Sequence, residues 1–231
     1  MKYIKLIPTT ALILLSATIG NAQSLVIDDF DSYSTTGELQ TNWNSFGNAA
    51  TSGAPTLASG AGVGGSNAAT FSLNWFSSGA SNANARHINL SLDLSTYDFL
   101  DVALFVETDA GNVDPSAPTI LKIAFQSSDS TIWQTKSSSA LTVNVDSYST
   151  LSFGLTDTIM ERVSGSGDFA SSIGDITNIR LRFENAEETN VGQTAYISSL
   201  TATTIPEPNS YALIFGMVIT GAALVSRREK R

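Results

Sequence analysis

One histidine, three tryptophans and no cysteine bound the chemistry available to this 231-residue chain. Without cysteine there is no thiolate nucleophile, no disulfide and no sulfur-ligated metal. With His87 as the sole imidazole, a multi-histidine site on one chain is excluded. A Ser-His-Asp triad would have to use that ring, yet no G-x-S-x-G lies nearby, so His87 reads as a surface residue at a strand edge. Glycoside hydrolysis needs two carboxylates facing each other across about 5–10 Å. Glu38, Glu107, Glu161, Glu184, Glu187 and Glu188 are available, but sequence spacing pairs none of them. Asp109, Asn112 and Asp114 surround Gly111 in a loop and offer hard oxygens, though not at EF-hand spacing. Asp28, Asp29 and Asp31 form a second acidic group, which strand alternation divides between two faces. No metal or other cofactor is expected, and a structural calcium finds no support in these residues. Three aromatic positions remain. Trp43 lies between Asn42 and Asn44, Trp75 follows Asn74, and Trp133 precedes Gln134. A flat ring covers the apolar face of a sugar while adjacent amides take its hydroxyls, so all three are candidate glycan-stacking residues. Trp43 and Trp75 are preferred, because Trp133 sits in an alternating Ile132-Trp133-Gln134 stretch where core packing competes.

The elements that must position these residues are strands. Ile88, Leu90, Leu92 and Leu94 alternate with polar residues, the clearest period-two pattern in the chain. Further strands are expected over 25–27, 99–106, 120–125, 131–135, 141–145, 151–155, 176–183 and 195–202. Spacing of about ten residues between such segments favours a sandwich or barrel over βαβ units. No window sustains a helical period; 158–163 has room for a turn or two. The glycine-rich stretch 51–66 reads as a loop with at most a short strand. An all-β fold is therefore expected, an antiparallel β-sandwich.

The two ends read as addresses. Residues 1–22 have Lys2 and Lys5, then an apolar run, then Gly20-Asn21-Ala22, the layout of a secretory signal peptide handled by Sec-type export machinery. At the other end Pro206-Glu207-Pro208 precedes an uncharged apolar run, then Arg227, Arg228, Lys230 and Arg231. Two prolines keep the triplet extended. A helix over 210–226 is short for a hydrocarbon core of roughly 30 Å, and the basic cluster would stay cytoplasmic. Together these parts resemble the PEP-CTERM sorting signal of Gram-negative bacteria. The resemblance implies that Pro206, Glu207 and Pro208 are recognised by an exosortase-like processing enzyme. It also implies that the helix anchors the protein in the inner membrane only until it is released to the cell surface.

Between the addresses, residues 23–204 are enough for one domain. The body holds six of the twelve basic residues and nineteen of the twenty-one acidic ones, and so excludes a nucleic-acid partner. Asp28-Asp29-Phe30, the segment Asp93 to Leu100 feeding a long strand, and the late Tyr196-Ile197 are similar to carbohydrate-binding-module-like jelly rolls. That family often closes its last strand with a calcium-binding Asp, whereas Ser198 and Ser199 stand here. The sequence thus supports an exported, surface-destined, non-enzymatic protein associated with extracellular polysaccharide. The alternative is a carbohydrate-binding module, and a small glycoside hydrolase is a third reading.

Overall fold

Alternation decides which side chains meet in the middle of this molecule. The computed structural model describes residues 22–47, 54–75, 82–111, 118–185 and 191–205. Residues 1–21 of the expected signal peptide, the Pro206–Pro208 triplet, the helix expected over 210–226, the basic cluster, Asn112 and Asp114 lie outside the described residues. Along the chain run β1 (Ser24–Asp28), α1 (Thr36–Asn42), β2 (Trp43–Phe46), β3 (Thr56–Ala58) and β4 (Ala68–Asn74). Next come β5 (Asn82–His87), β6 (Phe99–Thr108), β7 (Ile120–Ser127), β8 (Ile132–Thr135) and β9 (Leu141–Thr142). The series ends with β10 (Ser149–Gly154), β11 (Met160–Ser164), α2 (Phe169–Ile173), β12 (Ile176–Glu184) and β13 (Gly192–Thr203).

The strands form two antiparallel sheets. One has the order β10-β6-β13-β4-β3, with β1 also on β13; the other has the order β11-β8-β7-β12-β5-β2, with β9 also on β7. Each centre strand shows why. In β12, Ile179, Leu181 and Phe183 are buried while Asn178, Arg180, Arg182 and Glu184 face out. In β6, Leu100, Val102, Leu104 and Val106 enter the same core, opposite Ile197 and Leu200 of β13. Burying such a side chain contributes about 1.5–3 kcal/mol. Gln23–Ile205 forms one compact unit, and the all-β antiparallel sandwich is as expected.

Several expectations are corrected. Residues 88–94 are not a strand: β5 ends at His87, and Asn89 has a φ of +60° that turns the chain. The segment then follows β12 through single contacts, a Leu92–Ile176 bridge and a bond from Leu94 N–H to the Ile173 carbonyl. Its alternation reported which side chains face inward, and Leu94 is fully buried; period two does not itself supply a ladder. Of the residues 158–163, given room for a helical turn or two, Thr158 and Ile159 lie in a turn closed by a bond from Met160 N–H to the Thr156 carbonyl, while Met160–Ser164 form β11, an edge strand. The helices stand elsewhere. Thr35 caps α1 in a capping box with Glu38, and the Asp168 side chain caps α2. Both are too short to display a helical period. No helix among the described residues is long and apolar enough to cross a membrane.

Candidate functional site

Trp43 and Trp75, the preferred stacking candidates, are core residues with no exposed surface. Trp43 packs on Phe30, Phe71 and His87, with ring centroids 5.4, 5.8 and 4.9 Å away. Trp75 donates its indole N–H to buried Gln193 Oε1 at 3.0 Å, which also accepts from Thr119 at 2.9 Å. Neither ring can receive a sugar in this arrangement. Flanking asparagines suggested a wet rim, but alternation turns an asparagine's neighbour inward. Trp133 is half-buried at the inward edge of β8 and meets Phe169 edge-on at 5.2 Å.

His87 is buried too, which corrects the surface reading. Its Nε2 lies 3.2 Å from Asp28 Oδ2, and its Nδ1 lies 3.0 Å from the Ile88 carbonyl. Both ring nitrogens face oxygens, so neither is free to activate a nucleophile. Asp28 accepts further bonds from Tyr33 Oη at 2.7 Å, Trp43 Nε1 at 2.8 Å and Phe30 N–H at 2.9 Å. Burial works to raise the Asp28 carboxyl, but the bonds from His87, Trp43, Tyr33 and Phe30 outweigh it and hold the group below its ordinary range. Burial and the same carboxylate push the Tyr33 hydroxyl up to about 12. Asp28 closes β1 of one sheet while Trp43 and His87 belong to the other, so this network ties the two sheets together. Asp29 and Asp31 serve elsewhere: Asp29 accepts from Asp31 N–H, and Asp31 from Asn67 N–H. Among the described residues no cluster of His, Asp or Glu could hold a metal ion. Ser198, at the bulge in β13, accepts a bond from Val63 N–H at 2.9 Å and so fastens the glycine-rich loop directly.

The residues that reach outward together are different ones. Register pairs Arg180 of β12 directly with Arg86 of β5, Arg182 with Asn84 and with Lys122 of β7, and Arg86 with Asn44 of β2. Phe46, 38% exposed, lies at the end of β2 with the Arg86 and Arg180 guanidinium groups 5.1 and 5.5 Å from its ring centroid. Gly47 ends that strand with a φ of +125°, and a Cβ there would stand 2.6 Å from the Asn82 carbonyl. Glycine is therefore required for Phe46 to sit against β5. Arg86 Nε donates to Asn44 Oδ1 at 3.1 Å. Gln126 Oε1 accepts from Asn178 Nδ2 at 3.4 Å and from Arg180 Nη2 at 3.5 Å. Burial, with the charges of Arg86 and Arg182, lowers the Arg180 guanidinium from its usual range. The face thus offers guanidinium and amide donors, amide acceptors and one ring, groups able to hydrogen-bond hydroxyls and cover an apolar face. The signal for these arginines is Ile179-Arg180-Leu181-Arg182-Phe183, a strand with cations on its outer side, which the tryptophan-flanking amides do not reveal.

The outer face of the other sheet carries a smaller feature. Phe105 stacks on Tyr148 at 5.2 Å and meets Tyr196 at 5.7 Å. Tyr196 Oη donates to Glu107 Oε1 at 2.6 Å, and that bond, with burial, pushes the hydroxyl up to about 12.

No protein-family model and no curated protein matches the chain. Solved structures do. CtCBM11, known from its solution structure, overlays with a TM-score of 0.52 at 16% identity, covering 84% of this chain and 100% of that one. The body has the fold of carbohydrate-binding-module jelly rolls. An agarase, AgWH50C, aligns over 79% of this chain and 25% of its own, with a TM-score of 0.51 at 10% identity. The family 11 carbohydrate-binding module of cellulosomal cellulase Lic26A-Cel5E of Clostridium thermocellum aligns over 78% of this chain and 94% of its own, at 13% identity and a TM-score of 0.48.

Proposed function

We propose that the body is a non-catalytic carbohydrate-binding domain whose ligand lies across the outer face of β2, β5, β12 and β7. The observation that carries this reading is the concentration of outward hydrogen-bonding side chains there: Asn44, Arg86, Gln126, Asn178 and Arg180 beside the Phe46 ring. A polysaccharide presents hydroxyls in plane and apolar C–H faces above and below, and such a face meets both. The jelly-roll fold is compatible with this role but does not itself assign a ligand. Combined Phe46→Ala and Arg86→Ala substitution is expected to abolish retention on polysaccharide in affinity electrophoresis, with the melting temperature within a few degrees of the parent. Equal retention of variant and parent would overturn the assignment. If retention were instead lost on Tyr148→Ala, the Phe105–Tyr148–Tyr196 group would be the site.

The domain is read as the cargo of a sorting route. The 1–22 leader, the Pro206-Glu207-Pro208 triplet, the apolar run and the terminal Arg cluster support export, transient anchoring in an inner membrane and release at the cell surface by an exosortase-like enzyme. Intact-mass measurement on protein recovered from its host is expected to show loss of the leader and of the residues beyond the triplet. A mass retaining Arg227–Arg231 in the surface fraction would refute this route.

A further inference from the structure

Charge on the β2–β5–β12–β7 face runs against the charge of the whole. The body has six cationic residues against nineteen acidic ones. Four of the six, Arg86, Lys122, Arg180 and Arg182, share this one face, as the register of β5, β7 and β12 dictates. Among the described residues of those four strands the only outward carboxylate is Glu184. It is already shared, 2.7 Å from Lys122 Nζ and 2.6 Å from Arg182 Nε. Glu161 faces outward on β11, three strand spacings from β12, or about 14 Å. Among the described residues Arg86 and Arg180 therefore have amides for partners and no carboxylate, although they stand directly opposite each other. Arg180 Nε is buried and has no hydrogen-bond partner among the described residues. Like charges directly across an antiparallel ladder destabilise it, and a donor without an acceptor costs more. A neutral ligand would leave this repulsion in place; an anionic group between the two guanidinium groups would remove it.

We propose that this face selects an anionic polysaccharide, one bearing carboxylate or sulfate groups, with Arg86 and Arg180 holding the anion and Phe46 the adjoining sugar ring. The proposal rests on the carbohydrate-binding reading above and specifies the ligand class of that same site. A planar guanidinium pairs with carboxylate or sulfate through two parallel bonds, which a hydroxyl cannot reproduce. Elsewhere on the body two cations stand against eighteen acids, so general attraction to a polyanion is opposed rather than assisted. Binding must then come from the face itself.

The test compares the full chain on polygalacturonate, on its fully methyl-esterified form, on dextran sulfate and on neutral β-glucan. Retention on polygalacturonate or dextran sulfate is expected, with loss on the methyl ester. Arg180→Gln should weaken that retention by about tenfold or more, the value of one charge-assisted bond. Lys136→Gln, off this face, should leave it unchanged. Arg180→Gln also removes a repulsive charge, so its melting temperature should equal or exceed the parent's, which separates lost recognition from lost folding. Equal binding of ester and acid, or binding of neutral glucan alone with Arg180→Gln weakened, would overturn the anionic selection and leave the carbohydrate-binding reading intact. Retention on none of the four would overturn both.

Discussion

Asp28→Ala is expected to destabilise the body by about 3–5 kcal/mol, the cost of leaving a buried network with its central acceptor removed. The carboxylate accepts from Tyr33, Trp43, His87 and a backbone N–H, and these donors have nowhere else to turn once it is gone. Urea denaturation followed by tryptophan fluorescence measures the loss directly; a change below about 1 kcal/mol would show the network to be dispensable. The same residue sets an acid limit. Its carboxyl is held below the ordinary value in the folded state. Its contribution is therefore present above the unfolded pKa of about 4 and is lost as pH falls through the lower folded value. Parent and Asp28→Ala stability should accordingly converge in acid, and parallel curves down to pH 2 would contradict the assignment.

Trp75→Ala is expected to cost about 3–5 kcal/mol as well, through the cavity it opens between the sheets. It also strips Gln193 Oε1 of one of its two donors, the other being Thr119. Glycan retention measured well below the melting temperature should be unaffected, because no part of that ring reaches the surface. Retention lost at constant stability would return Trp75 to the role its asparagine neighbour suggested.

These two residues mark where the sequence was and was not legible. The two-sheet sandwich could be read, because alternation in 99–106, 120–125, 176–183 and 195–202 is written in the residues themselves. β5 was not legible, because Asn82-Ala83-Asn84-Ala85-Arg86-His87 has alanines and a histidine where large apolar side chains would mark a strand. His87 is the register partner of Trp43 there, and the two rings meet at 4.9 Å. Asp28, Trp43 and His87 were each visible singly, but their convergence depends on pairing between strands far apart in sequence. The outer face is the opposite case. Each of its arginines follows an inward residue, yet only the register of three strands shows Arg86 beside Arg180.

The pairing of β1 with β13 brings the two ends of the sandwich together. Gln23 N–H donates to Thr204 Oγ1 at 2.8 Å, and Thr204 N–H donates to the Gln23 carbonyl at 3.0 Å. The chain therefore enters and leaves this sandwich through a single doorway. A domain of that kind can be spliced as a cassette into one surface loop of an unrelated host, or relinked head to tail and opened elsewhere, without stretching any connection.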